Sequence, residues 1–317
     1  MVPSSRVVLS LALLPGFAPS QALARPETAA VSAASAFREL LMLPLLDSVP
    51  ALRSIRAASS DEDKLIDLLD DEDARVRAEA AKSLKHYALN SRRTQDGLLG
   101  VIDRSRELDS VKRSAIKSLA WAAQHNQIRG RLRDIATDRY RRSLDLRQIA
   151  FKSLYVVIGQ QYDVRSAAQS ALADDSEPVE VRAAAAWTLW AAAQDYGARR
   201  ALLGAASGGE PAQVRVEAVK SLFSQLNDYE TKNRVLSIAR DSSEPEALRE
   251  AAVLSLLAIN QNYDVKRFLE ELAGSDQSTV VRVAAVRALQ SGMTLEVARY
   301  FHLSQYLGRF IDPLEGE

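Results

Sequence analysis

The sequence predicts an all-α solenoid of about seven helix pairs with capping helices at both ends. Three observations carry this. A nine-residue stretch, Val76–Leu84, reads VRAEAAKSL, and its grammar returns at Val111–Leu119, Leu146–Leu154, Val181–Leu189, Val214–Leu222, Leu248–Leu256 and Val281–Leu289. The successive offsets are 35, 35, 35, 33, 34 and 33 residues. So steady a period marks a stack of one supersecondary unit. Finally, the apolar residues inside each unit recur at helical spacing.

Taken in order, residues 1–24 read as a secretory signal peptide. Met1–Arg6 carries one positive charge, Val7–Ala18 is apolar, and Ala22-Leu23-Ala24 is a small-x-small cleavage site before Arg25. Val7–Ala18 is too short to span a bilayer and is interrupted by Pro15-Gly16. The mature protein is therefore expected in the periplasm or secreted, without stable membrane insertion. Residues 25–60 read as a flexible start followed by an N-terminal capping helix over Ala36–Leu46, kinked or ended at Pro44. Residues 61–292 hold the seven repeats. Residues 293–317 read as a C-terminal cap and tail, apolar on one face of VARYFHLSQYLGRFI. An amphipathic membrane helix is the alternative there, and the need to cover a solenoid end favours the cap.

Within a repeat, a first helix such as Tyr162–Ala173 or Val265–Ala273 is followed by a turn and then by a second helix bearing the signature. Pro178, Pro211 and Pro245 each stand four residues before the signature Arg and mark the second helix's start. Asp70-Asp71, Asp174-Asp175 and Asp241-Ser242-Ser243 supply turn and capping groups. Tyr162, Tyr196, Tyr229 and Tyr263 recur at the joint between repeats, and their periodicity predicts a structural role.

On a helical wheel of about 100° per residue, Val76, Ala80, Ala81 and Leu84 form the buried stripe. Arg77 falls beside the stripe, so a charge recurs at a half-buried position and needs a partner. Arg77, Lys112, Arg147, Arg182, Arg215, Arg249 and Arg282 thus predict a structural ladder paired with the acidic turns. Repeat 2 departs from the pattern with Lys112. Repeat 3 departs with a basic run, Arg139–Arg142, where an acidic turn is expected.

The V-R-x-x-A-[AV]-x-[SA]-L pattern after an acidic turn resembles the short HEAT repeat, of the kind also found in phycobilisome lyases, over about Asp61 to Ser291. The resemblance implies that the second helices line a concave face. The tetratricopeptide pattern of similar period is absent. Deoxyhypusine hydroxylases, also HEAT-like, use His-Glu pairs for a di-iron centre. Here His86, His125 and His302 are followed by Tyr87, Asn126 and Leu303, so that activity is not expected.

Lysine plus arginine and aspartate plus glutamate number 41 each, so no global field points to nucleic acid or an anionic membrane. The chain has no cysteine, which removes thiol nucleophiles and Cys-ligated metals. No Asn-x-Ser/Thr sequon is present. Asp61-Glu62-Asp63 and Asp70-Asp71-Glu72-Asp73 lack the glycine and spacing of a calcium loop and sit where helices begin. No phosphate loop, dinucleotide fingerprint or nucleophile elbow occurs. No metal and no cofactor are expected.

One constellation remains. Two residues before the signature Leu stand Lys82, Lys117, Lys152, Trp187, Lys220, Leu254 and Arg287, on the wheel away from the buried stripe. This predicts a basic row on the concave face, broken by Trp187, with Trp121, Tyr155, Trp190 and Phe223 around it. Tyr155 and Phe223 read as packing residues, and Trp187 reads as exposed. The expectation is an exported, non-catalytic scaffold that binds a protein or peptide partner through Trp187, Trp190, Lys152, Lys220, Trp121 and Lys117. Two alternatives stand beside it: a phycobilin-lyase-like enzyme or enzyme subunit, and nucleic-acid binding through the Lys row.

Overall fold

The computed structural model describes residues 59–290, together with Tyr300 and Leu314. The signal peptide, flexible start and N-terminal cap expected before residue 59 lie outside the described residues. So does most of the expected C-terminal cap. All described residues belong to one unit, Ala58–Glu317.

Every regular element among them is helical. The first helices of the seven repeats are α1 (Ser59–Asp67), α4 (Arg92–Asp103), α6 (Asn126–Thr137), α9 (Tyr162–Ala173), α11 (Tyr196–Ala205), α13 (Tyr229–Arg240) and α15 (Tyr263–Ser275). The second helices are α2 (Ala74–Ser83), α5 (Asp109–Leu119), α7 (Leu144–Ser153), α10 (Val179–Leu189), α12 (Ala212–Ser221), α14 (Glu246–Ser255) and α16 (Thr279–Ala288). Two short helical turns, α3 (Lys85–Ala88) and α8 (Tyr155–Ile158), and 3-10 turns such as Trp190–Ala192 follow the signature leucines.

The local chemistry explains the ends. Asp195, Asp228 and Ser278 side chains accept from the backbone N–H three residues on, capping α11, α13 and α16. Pro178, Pro211 and Pro245 occupy the position just before α10, α12 and α14, in an extended conformation with φ between −53° and −55°. Their carbonyls accept the N–H of the ladder arginines Arg182, Arg215 and Arg249. Asp71, Asp174 and Asp241 side chains accept from the N–H two residues on and tighten the turns.

The repeats stack in two layers. Each second helix packs extensively on the next, α2 on α5, α5 on α7, and so on to α16, whereas first helices meet their neighbours only sparsely. The tighter layer is the one whose signature carries Ala. Ala80, Ala115, Ala150, Ala185, Ala218, Ala252 and Ala285 are all buried and leave room for close approach. Ser118 and Ser221 hydroxyls bridge the layer, donating to the carbonyls of Ala81 at 2.7 Å and Ala186 at 2.9 Å in the preceding repeat. The stripe departs from expectation at both ends. Val76 is exposed in the first repeat, and Val286, the counterpart of Ala81, is exposed in the last, while Val281 and Ala285 stay buried.

The tyrosines correct an expectation. Tyr162, Tyr196, Tyr229 and Tyr263 are between 65% and 76% exposed, not packed into the joints. Each opens a first helix, where the side chain projects off the stack. Tyr196 and Tyr229 lie against the cation one turn on, with Arg199 and Lys232 each 6.0 Å from the ring centroid.

The arginine ladder binds the layers together. Arg77 makes a two-point contact with Glu107 at 2.9 and 2.7 Å. Arg147 meets Glu177 at 2.7 Å, Arg182 meets Glu210, Arg215 meets Glu244 at 2.6 and 2.5 Å, and Arg249 meets Asp276 at 3.2 Å. Every one of these acids lies in the turn of the following repeat. From Arg147 onward the same guanidinium also donates to a carbonyl near the end of its own first helix: Ala136, Leu172, Ala206 or Ala239. One side chain therefore ties three segments, and it is buried while doing so.

The two irregular repeats explain each other. Lys112 has no acidic turn ahead of it, because repeat 3 carries Arg139–Arg142 there. Arg142 reaches back and donates to the Ile102 carbonyl at 3.1 Å, a carbonyl at the same place as Leu172 or Ala239 in their repeats. Arg139 turns forward, to Asp174 and to Glu177 at 2.7 Å. The basic run is an inverted form of the same tie.

Arg215→Ala should cost about 1–3 kcal/mol, since it leaves a half-buried carboxylate and a backbone carbonyl unpaired. Lys82→Ala, whose side chain is 62% exposed, should cost under about 0.5 kcal/mol in the same denaturant titration. Equal midpoints would show the ladder to be surface charge. Acid sensitivity should follow from the same pairs. The hydrogen bond from Arg249, against the opposing effect of burial, holds the Asp276 carboxyl below its usual range. Burial pushes the Glu107 carboxyl up, but hydrogen bonds from Arg77 and the Leu108 N–H outweigh it and leave it low. A carboxyl that is more acidic folded than unfolded stabilises above its unfolded pKa and loses that contribution as pH falls through the folded one. Stability should therefore drop below about pH 4, and Asp276→Asn should flatten that drop while lowering stability at pH 7.

Candidate peptide-binding face

The exposed side of the second-helix layer carries the predicted row, and the helices fix its spacing. Lys117, Lys152 and Lys220 end α5, α7 and α12 at the same helical position. The row is not uniformly solvated. The Lys82 side chain is 62% exposed, whereas that of Lys220 is 12% exposed, and Lys117 and Lys152 are half-buried.

Trp187 corrects the site expected from the sequence. It is 1% exposed, although its wheel position matches that of the lysines. All nine residues of Val181–Leu189 are buried. Tyr155 meets the Trp187 indole edge-on at 5.8 Å, and the Lys152 ammonium lies 5.7 Å from its centroid. Trp190 is half-buried and stacks on Tyr155 at 6.4 Å and 22°. Tyr155 and Phe223 are both buried, as their packing role predicts. Trp121 is half-buried on the 3-10 turn after α5. The middle of the face is thus an aromatic floor built by Trp187, Tyr155 and Trp190, with Lys152 laid over it. Trp187 supports this floor from beneath.

Two residues far along the chain meet this face. The Lys220 ammonium sits 4.6 Å from the centroid of the Tyr300 ring and 3.0 Å from Glu217. Burial pushes the Tyr300 phenol upward, and the nearby Glu250 and Glu217 carboxylates push it further. Burial likewise pushes the Glu250 carboxyl up, opposed by the charges of Arg287 and Lys220. Leu314 is 1% exposed, and its carbonyl accepts a hydrogen bond from Lys117 at 2.8 Å. Tyr300 thus lies at repeats 5 and 6, and Leu314 at repeat 2. Lys117, Trp121, Lys152, Tyr155, Trp187 and Glu217 are all engaged by partners.

Sequence reasoning missed Glu217, Glu250, Tyr300 and Leu314. Glu217 had a signal, since it stands three residues before Lys220 on the same helical face. Tyr300 and Leu314 had none, because nothing local couples them to helices far back in the chain, 197 residues back for the Lys117 contact of Leu314.

Trp187→Ala should lower stability by about 3–5 kcal/mol, the cost of emptying a buried indole site. The measurement is a denaturant midpoint, and a shift under about 0.5 kcal/mol would show the ring to be solvated.

A HEAT-repeat family profile, described as HEAT repeats, matches residues 199–290. No curated protein sequence matches the chain as a relative. Among solved structures, human deoxyhypusine hydroxylase is similar at 20% identity, with 83% of this chain and 96% of that one covered and a TM-score of 0.34. The CpcE and CpcF complex of phycocyanin lyase from Nostoc sp. is similar at 16% identity, covering 83% and 100%, with a TM-score of 0.44. Yeast importin-beta (Kap95p) is similar at 15% identity, covering 88% of this chain and 40% of that one, with a TM-score of 0.46. Residues 199–290 thus match the HEAT-repeat model, and the same signature and paired helices recur through the other described repeats.

Proposed function

We propose that the chain is an exported, non-catalytic scaffold that binds a protein or peptide partner on the exposed side of its second-helix layer. One observation carries this reading: Lys117 on that face holds a main-chain carbonyl, that of Leu314, at 2.8 Å. A surface that takes one peptide group through a lysine, over a floor of aromatic rings, has the chemistry to take others. Lys117, Lys152 and Lys220 supply the cations, Trp121 and Trp190 the ring faces, and Trp187 the support below. The balance of 41 basic and 41 acidic residues gives a polyanion no general attraction, which favours a peptide over a nucleic acid. Export rests on the tripartite N-terminus ending at Ala22-Leu23-Ala24. No helix among the described residues is long and apolar enough to cross a membrane.

A photo-reactive residue in place of Lys82, at the exposed end of the row, should cross-link a single major protein in intact cells. The same residue in place of Tyr162, on the first-helix layer, should not. Equal labelling from both positions, or none from either, would overturn the reading. N-terminal sequencing of the native protein should begin at Arg25; a bulk sequence starting at Met1 would remove export.

A further inference from the structure

Tyr300 and Leu314 touch the face at two of the cations assigned above to the partner. Lys220 is the cation over the Tyr300 ring. Lys117 is the donor to the Leu314 carbonyl. Neither contact is a surface graze. Leu314 is as buried as the core leucines, and the Tyr300 ring packs against the hydrophobic core while facing Lys220, Glu217 and Glu250. The two anchors run against the order of the repeats. The earlier residue lies at repeats 5 and 6, the later one at repeat 2. Fourteen residues separate them, a reach of up to about 46 Å when extended. Three repeat steps at about 8–10 Å between helix axes fall well within that reach.

We propose that the second-helix face is a peptide site whose resident ligand is the chain's own C-terminal segment, held by Tyr300 and Leu314. The partner is then a peptide that offers an aromatic and an aliphatic side chain to the same two places. This rests on the partner reading above and adds the identity of the competitor and the ligand chemistry. Because the resident ligand is tethered, its effective concentration is on the order of millimolar, and a free peptide must displace it. Apparent affinity scales with the fraction of molecules whose face is open.

The test uses the full mature chain and a fluorescent synthetic peptide of residues 297–317. The peptide should bind the Tyr300→Ala/Leu314→Asp double variant at least ten-fold more tightly than the wild type, whose face is already filled. Adding Lys117→Glu or Lys220→Glu to the double variant should remove that binding. A peptide carrying Tyr300→Ala should bind at least ten-fold more weakly than the native peptide. Equal binding to wild type and double variant, or none to a double variant with an unchanged melting temperature, overturns the proposal. A second measurement does not depend on that variant folding well. The chain has no cysteine, so Lys117→Cys/Leu314→Cys introduces the only thiols. A short bis-maleimide should join them within one monomer, and failure to do so in a chain of native helicity overturns the proposal. Photo-labelling from position 82 separates the two readings. A partner captured equally by wild type and double variant sinks self-occupancy and spares the partner site. A cross-link in cis with no partner captured by either does the reverse.

Discussion

The buried guanidinium between consecutive repeats is the interaction on which the rest of this molecule depends. A helix pair cannot bury its own apolar face, so each repeat needs its neighbour. Apolar packing alone sets no register, because alanines slide past one another at little cost. Arg147, Arg182, Arg215 and Arg249 remove that freedom. Each fixes the end of its own first helix and the turn of the next repeat in one planar fork. A charge taken out of water must be matched closely or it destabilises. A slipped stack would leave every rung unmatched at once.

That registry is what makes a linear face possible. Lysines at one helical position in α5, α7 and α12 form a row only because their helices are held in step. The face is graded along its length, open at Lys82 and closed in around Lys152 and Lys220. The aromatic floor lies where the helices are most deeply covered. Apolar surface and cations are thereby concentrated at the middle repeats.

Much of the architecture was legible in the sequence because a repeat averages its own signal. Seven copies put the buried stripe and the ladder beyond accident, and the angle of Arg77 beside the stripe already required a partner. The direction of pairing was not legible, since the own-turn acids stand only a few residues from each arginine, whereas the acids used stand 27 to 30 residues on. Trp187 misled because a wheel shows one helix alone. Its angle does point off the stack, but Tyr155 and Lys152 close over it from the neighbouring repeat. The four tyrosines misled for the opposite reason. Their periodicity is real, yet a first residue of a helix has no neighbour to pack against on the outer side.

The ladder also gives the stack a direction. Each arginine reaches towards the C-terminus, and Arg282, in the last repeat, turns instead to the Asp276 carbonyl of its own turn at 2.7 Å. Glu177, Glu210 and Glu244 are interchangeable sockets for whichever arginine precedes them. A whole unit between Arg147 and Arg215 could be lost or duplicated in the gene and the joint would re-form unchanged. The seam between repeats 2 and 3 lacks that socket, because Arg142 stands there and ties back to the Ile102 carbonyl instead.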